Sequence, residues 1–255
     1  MFCVLKINQR KQNFPEKLFG RFIKDEYKLS TIPVYKGAPF YLLEITIGKR
    51  GIDWERVLFL VGKCASRLIV NCETDIPDGM NIGLYKSDKL YKKIMENTFL
   101  HILKINTDKM KLHTISILDS TGENSEFVES IVGYSSSLTI TTDVKELYYD
   151  ICESIKENTG LCPVFAKNFV DCDVKINCDK GVMSIIQNTD IMNLSCGLNF
   201  KVPDIYENLL PSGVSEYDFY SALYELCGVF ELENCIFETL IANNEKKRVD
   251  DIHFS

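Results

Sequence analysis

Several features that mark whole classes of protein are missing from this sequence of 255 residues. Its longest uninterrupted apolar stretches, such as Val57 to Val61, fall far short of the roughly 20 residues that a membrane-spanning helix requires. The opening stretch MFCVLKINQRK has a lysine at position 6 and lacks the apolar core of a secretory signal. We therefore predict a cytoplasmic protein that has no membrane partner.

Positive charge is also scarce. The chain has 29 Lys and Arg against 36 Asp and Glu, which gives a net charge of −7 at pH 7. No segment interleaves Lys or Arg with aromatic residues, as a surface that follows nucleic-acid phosphates would require. We expect no nucleic-acid partner, and we expect a small-molecule ligand or a protein partner instead.

Paired cysteine motifs are absent, although cysteine itself is plentiful. The ten cysteines are spread from Cys3 to Cys235 within apolar patterns, and none of them forms a Cys-x-x-Cys pair. This distribution is typical of reduced core residues, and it is unlike the closely spaced ligands of structural zinc sites. We predict that most of the ten cysteines are buried and unpaired.

Alternating strand and helix patterns fill the middle of the chain. From residue 113 the segments TISILD, SLTITT, CPVF, DVKIN and DIMNL have the pattern of short strands, and SEFVESIVGY and DVKELYYDICESIKENTG have that of helices. This order predicts parallel strands joined by right-handed crossovers. The segment therefore resembles a Rossmann-like sheet, with residues 114–119 and 138–142 as adjacent parallel strands.

The predicted fold class is α/β, with a Rossmann-like parallel sheet and flanking helices. We divide the chain into an N-terminal α/β portion over 1–112, a Rossmann-like unit over 113–200 and a helical C-terminal portion over 201–255 that packs on the core. Helix starts are predicted from the capping residues Asp53, Ser87 and Ser215.

The candidate site is the pair of turns that follow two predicted strands. Ligands of open parallel sheets bind beyond the carboxyl ends of the strands, which here are the turns after Leu118 and Thr141. The candidate ligand-binding residues at these turns are Ser120, Thr121, Gly122, Thr141, Thr142 and Asp143. A dinucleotide-binding turn needs three glycines at set places, and only Gly122 is present. An NAD(P)-dependent oxidoreductase with a degenerate fingerprint is one alternative.

Acidic residues crowd the first of these turns and its helix. Four acids lie within eleven residues that contain no Lys or Arg, namely Asp119, Glu123, Glu126 and Glu129. Acids in the first turn of a helix already complement its dipole, so a bare phosphate would be repelled there. The composition of this turn favours a cation, and Mg²⁺ is the candidate.

The stretch DSTGE at 119–123 resembles the first motif of the haloacid dehalogenase superfamily, which reads Asp-Lys-Thr-Gly-Thr in P-type ATPases. The strand SLTITT, ending in Thr141 or Thr142, resembles the second motif. The resemblance implies a Mg²⁺-dependent phosphotransferase or phosphatase in which Asp119 is the catalytic nucleophile and a Mg²⁺ ligand. It leaves open which lysine holds the transferred group: Lys145, Lys167 or Lys175.

The same turns also have a purely structural interpretation, because Asp, Ser and Thr satisfy loose amides where strands end and helices begin. Our primary hypothesis is therefore a small-molecule-binding or protein-interaction scaffold without an evident catalytic centre. Asp143 and Glu146 have the spacing of a capping box, so Asp143→Ala is expected to cost roughly 1 kcal/mol. Asp119→Asn is expected to leave stability nearly unchanged.

Overall fold

A computed structural model of the chain describes residues 1–9, 25–47, 51–71, 74–107, 112–187, 190–195 and 199–254. The chain forms two compact units. Unit 1 comprises Met1–Tyr91 and Val202–Glu233, and unit 2 comprises Lys92–Lys201 and Asn234–Ser255. This division differs from the three consecutive portions expected from the sequence, because each unit combines two segments that are distant along the chain.

The described residues form twelve strands and six α-helices. The strands are β1 (Cys3–Gln9), β2 (Glu26–Val34), β3 (Gly37–Ile47), β4 (Leu68–Val70), β5 (His113–Leu118), β6 (Ser135–Thr141), β7 (Val164–Phe165), β8 (Val174–Asn177), β9 (Val182–Gln187), β10 (Asp190–Ser195), β11 (Thr239–Ala242) and β12 (Glu245–Arg248). The α-helices are α1 (Trp54–Val61), α2 (Lys89–Asn106), α3 (Ser125–Ser130), α4 (Tyr149–Thr159), α5 (Asp204–Glu207) and α6 (Glu216–Cys227).

Unit 1 is built on a four-stranded sheet with the order β2-β3-β1-β4. Strand β1 pairs in parallel with β3 and β4, while β2 pairs antiparallel with β3. Side chains alternate between the two faces of a sheet. On one face, Cys3 lies in a buried cluster with Trp54 of α1. On the other, the ring of Phe2 stacks on Phe40 at 5.1 Å, and Phe219 of α6 meets Phe2 edge-on at 6.0 Å.

The helix starts predicted in unit 1 are confirmed. The carboxylate of Asp53 accepts a hydrogen bond from the amide of Arg56 at 3.0 Å and caps α1. The hydroxyl of Ser87 accepts from the amide of Lys89 at 3.3 Å, and that of Ser215 accepts from Asp218 at 3.3 Å. These short polar side chains satisfy amides that the first helical turn leaves without a partner.

Unit 2 contains an eight-stranded sheet with the order β12-β11-β10-β9-β8-β5-β6-β7. The predicted adjacency of β5 and β6 is confirmed, since they pair in parallel with Leu118 opposite Thr141. Strand β5 also pairs in parallel with β8, and β6 with β7. The neighbours from β8 to β12 are all antiparallel. The sheet is therefore mixed, and the prediction of a parallel sheet holds for one half of it only.

The antiparallel half has two physical causes that the strand pattern did not reveal. Only residues 178–181 separate β8 from β9, and a parallel crossover needs about a dozen residues or more. Strands β11 and β12 are joined by Asn243 and Asn244, which both have positive φ, at 47° and 73°. Such a pair suits the two-residue turn of a hairpin. The C-terminal portion, expected to be helical, thus also contains two strands, and β12 consists of four exposed residues.

The cysteine prediction is confirmed for the part of the chain that the structure describes. Eight of the ten cysteines lie there and all eight are free. Five of them are buried, namely Cys3, Cys64, Cys178, Cys227 and Cys235. Cys72 and Cys196 lie outside the described residues. In the described segments, no helix is both long enough and apolar enough to cross a bilayer.

Candidate functional site

The candidate residues lie at the edge of the unit 2 sheet where three parallel strands end together. Leu118 of β5 is in register with Thr141 of β6 and with Asn177 of β8. The amide of Asp119 donates to the carbonyl of Thr141 at 3.0 Å, which extends the pairing of β5 and β6 by one residue. The two predicted turns are therefore neighbours in space.

Asp119 is fully buried, and its carboxylate accepts four hydrogen bonds. Oδ1 accepts from the amide of Gly122 at 3.1 Å and from the hydroxyl of Thr121 at 3.3 Å. Oδ2 accepts from the amide of Asn124 at 2.9 Å and from the phenol of Tyr148 at 2.5 Å. A carboxylate has about four lone-pair positions, so the chain itself occupies all of them.

Tyr148 connects this turn to the segment that follows β6. It ends the 3₁₀ turn Lys145–Tyr148, and its side chain is fully buried. Burial, followed by the hydrogen bond to Asp119, raises the pKa of the Tyr148 phenol well above its usual value. The phenol is therefore protonated and acts as a donor to the Asp119 carboxylate, which it helps to stabilise inside the protein.

Ser120 connects β5 to the turn after β8. Its amide and its hydroxyl both donate to the carboxylate of Asp179, at 3.0 Å and 2.6 Å. Sequence reasoning missed Asp179, because it lies 59 positions from Ser120 and no local pattern relates the two. The strand order reverses between β5 and β8, and this contact spans that position.

Gly122 is explained by packing. Its φ of +75° is unfavourable for other residues, and a Cβ atom there would lie 2.7 Å from Leu147 Cδ1 and 2.9 Å from Val144 Cγ2. The bare backbone allows the turn to approach the 3₁₀ segment after β6 closely. The glycine thus serves contact within the chain, whereas a dinucleotide fingerprint uses it for approach to a pyrophosphate.

The predicted capping box at Asp143 is wrong. Asp143 is exposed, and neither the 3₁₀ turn Lys145–Tyr148 nor α4 receives a side-chain cap within the described segment 112–187. The hydroxyl of Thr142 accepts from the amide of Val144 at 3.2 Å instead. The chain enters a 3₁₀ turn before α4, so the helix begins at Tyr149, six residues after the predicted cap.

Thr141 of β6 lies opposite Leu118 at this edge. Its hydroxyl is buried and has no hydrogen-bond partner among the described residues. It faces a protein interior in which an unpaired hydroxyl costs about 1–3 kcal/mol.

The residues present do not fit the Mg²⁺ site implied by the resemblance. Among the described residues, no group of three or more His, Cys, Asp or Glu is arranged to hold a metal ion. Both oxygens of Asp119 already accept two hydrogen bonds, so neither is available as a ligand. Of the three candidate lysines, Lys145 lies over the ring of Phe165 at 5.6 Å and Lys175 pairs with Asp171 at 3.3 Å.

Two further buried groups lie close enough to Asp119 to interact with its charge. Glu96 of α2 accepts a hydrogen bond from Lys93 at 3.3 Å. Burial is the main cause that raises the pKa of Glu96, and Glu126 and Asp119 add to it. Burial, followed by the charge of Asp119, raises the pKa of the Cys178 thiol well above its usual value. Burial therefore favours the protonated form of this core thiol.

Comparison with known proteins adds nothing to this geometry: no family model, no curated protein and no solved structure matches the chain.

A second candidate site lies in unit 1, where no sequence motif marked it. A cavity of about 550 Å³ flanks β4, and we call it the β4 pocket. Its walls include the apolar side chains of Leu68, Val70, Leu84 and Val214, and the polar side chains of Asn71, Lys86, Ser215 and Asp218. The side-chain amide of Asn71 is held by the backbone of Ile7, at 2.8 Å and 3.2 Å. Lys86 and Asp218 form no ion pair with a described residue.

The hydrogen bonds of Asp119 reverse the stability effects expected from the sequence. In Asp119→Asn, an NH₂ group replaces one carboxylate oxygen and so faces hydrogen-bond donors that the oxygen accepted from. We therefore expect a loss of about 2–4 kcal/mol in the free energy of unfolding. Asp143→Ala removes an exposed side chain without a capping role and should change it by less than about 0.5 kcal/mol. Urea denaturation of both variants measures this. Equal stability of Asp119→Asn and the wild type would contradict the structural role.

Gly122 and Gly160 form a matched pair for the packing argument. Both have positive φ, at +75° and +76°, but a Cβ at Gly160 would meet no atom of a described residue within 4 Å. We expect Gly160→Ala to cost about 1 kcal/mol from backbone strain alone. Gly122→Ala should cost about 1–3 kcal/mol more, because Leu147 and Val144 must move. If calorimetric melting shows the same loss for both variants, the close packing of this turn is wrong.

The raised pKa of Glu96 predicts a pH-dependent stability. The folded protein keeps this proton at pH values where the unfolded chain has lost it, so the contribution of Glu96 is present near its ordinary pKa of 4.5 and is lost as pH rises through the folded pKa. Glu96→Gln should therefore melt above the wild type at neutral pH, with a gap that closes towards pH 4.5. Melting curves across pH measure the gap. Glu153→Gln, at an exposed position, is the control. A difference in melting temperature that does not change with pH would contradict the raised pKa of Glu96.

Proposed function

We propose that the protein is a small-molecule-binding protein, that its ligand occupies the β4 pocket, and that the turn at 119–124 is structural. The observation that carries the proposal is the buried carboxylate of Asp119, whose acceptor positions are all taken by donors of the same chain. A carboxylate in this state has no lone pair to attack phosphorus or to bind Mg²⁺. This favours the binding scaffold over the phosphotransfer alternative.

We also propose that the parallel half of the unit 2 sheet is Rossmann-like. Its order, β7-β6-β5-β8, corresponds to the order 3-2-1-4 of that fold. Ligands of such sheets bind where the strand order reverses, which here is between β5 and β8. The bonds from Ser120 to Asp179 span this position. They support a sheet whose usual ligand crevice is occupied by its own side chains.

The same turn argues against the nicotinamide alternative. A pyrophosphate needs free backbone amides at the start of a helix. Here the amides of Gly122 and Asn124 donate to Asp119, and the amide of Ser120 donates to Asp179.

The free state of eight cysteines supports the expected cytoplasmic location, since reduced thiols persist in reducing compartments.

The chemistry of the β4 pocket supports a ligand that carries both charges. A volume of about 550 Å³ is in the usual range for small-molecule sites, which combine apolar walls with a few polar groups. Lys86 offers a cation and Asp218 an anion, and neither is neutralised by a described partner. A free amino acid or a similar zwitterion, with an apolar side chain against Leu68 and Val214, matches these groups.

A thermal-shift screen tests this function. The purified protein is melted with each common amino acid, and separately with MgCl₂, MgATP, NAD⁺ and FMN. We expect a higher melting temperature with at least one apolar amino acid and no change with the other four additions. Leu84→Trp, which fills the pocket, should abolish the shift, while Leu112→Trp, at another half-exposed leucine, should keep it.

Two outcomes would overturn the proposal. One is the absence of any shift with amino acids in the wild type. The other is a shift with MgATP accompanied by Mg²⁺-dependent hydrolysis of an aryl phosphate, which would restore the phosphotransfer alternative.

A further inference from the structure

We infer that unit 1 has a second binding site, which takes amphipathic carboxylates of the medium-chain fatty-acid type. A cavity of about 440 Å³ lies where β2, β3 and the end of α1 meet, and we call it the Arg67 pocket. Its lining includes Leu29, Tyr41, Leu60, Lys63, Cys64 and Arg67. The described residues that line it are all different from those of the β4 pocket, so the inference does not depend on the proposed function.

The walls of the Arg67 pocket are apolar and partly open to solvent. Leu29 of β2 leaves 41% of its surface exposed, while Cys64 is buried. Tyr41 of β3 is half-buried and packs on the core cluster beside α1. An open apolar cavity of this kind gains stability when an apolar chain displaces its water.

The charge at the Arg67 pocket has one sign only. Lys63 and Arg67 are exposed, and neither forms an ion pair with a described residue. Among the residues that the structure describes, no acid lines the cavity, in a chain whose acids outnumber its bases by 36 to 29. The two cations therefore line the cavity without a neutralising carboxylate from the described part of the chain, and an anionic head group is the ligand charge that complements them.

The backbone holds Arg67 in place at the rim. Its amide donates to the carbonyl of Cys64 at 2.9 Å, and its carbonyl accepts from the amide of Cys3 at 3.3 Å. A guanidinium binds a carboxylate through two parallel hydrogen bonds, which a lysine cannot do. The end of α1 accounts for a lysine at position 63, since a cation there complements the helix dipole. It does not account for Arg67 or for the cavity between the two.

The class of ligand follows from these three observations. The apolar cavity takes a hydrocarbon tail, the guanidinium of Arg67 takes the carboxylate, and Lys63 adds a second positive charge. Such a ligand has no ammonium group, which separates it from the zwitterion proposed for the β4 pocket.

The experiment is a titration of the protein with decanoate, kept below the concentration at which decanoate forms micelles. Isothermal titration calorimetry measures the heat of binding. Decanol and decyltrimethylammonium, which have the same tail with no charge or the opposite charge, are titrated in parallel. We expect decanoate to bind one to one and at least about tenfold more tightly than either of the others, since a charge-assisted pair contributes about 1.4 kcal/mol or more. Added salt should weaken the binding of decanoate, because exposed cations are screened.

Three variants locate the site. Arg67→Gln and Lys63→Gln should each weaken decanoate binding roughly tenfold, and Leu29→Trp should abolish it by filling the cavity. Lys28→Gln is the matched control: it removes an exposed cation next to Leu29 on β2, but its side chain projects from the opposite face of the strand. Circular dichroism melting verifies that each variant is folded.

Every outcome is decisive. Selective binding that depends on Arg67 and not on Lys28 supports the inference. Equal affinity for decanol, an unchanged affinity in Arg67→Gln, or no heat of binding with decanoate would each overturn it.

Discussion

The fold of unit 2 depends on one charged group that is kept away from water. A carboxylate inside a protein is strongly unfavourable unless its lone pairs are satisfied, and Asp119 is satisfied by two amides, one hydroxyl and one phenol. These donors belong to the turn after β5 and to the segment after β6. Because one side chain satisfies both, the two crossovers must be positioned together, and neither can move without exposing an unpaired charge.

The surroundings of Asp119 follow from the same constraint. Tyr148 must stay protonated to donate. Burial, with a smaller contribution from the charge of Asp119, raises the pKa of the Cys178 thiol and that of Glu96. Bonds from Ser120 to Asp179 then fix the turn on its other side. Asp119, Ser120, Tyr148 and Asp179 thus connect the ends of β5 and β8 with the segment after β6.

The sequence predicted what depends on local patterns. The strand pair β5 and β6 and the caps at Asp53 and Ser215 all follow from periodicity or from a single short-range bond. What it could not predict depends on contacts between distant residues, such as Ser120 with Asp179 or Tyr148 with Asp119. For this reason the sequence predicts a structural role for Asp143 and little stability effect for Asp119, whereas the structure has the reverse. Both residues follow a strand, and only burial distinguishes them. The β4 pocket likewise draws on two stretches of chain that no motif connects.

The two ends of the eight-stranded sheet bear on how this protein behaves at high concentration. A strand with a free edge is a template on which a second copy can add, which is how many sheets begin to polymerise. Strand β12 presents Glu245–Arg248, four exposed charged residues whose water would have to be removed before another strand could pair. At the other end, β7 has only two residues, too short to guide an incoming strand. Hydration thus protects one edge and shortness the other, so neither edge is a ready template for a strand from a second copy.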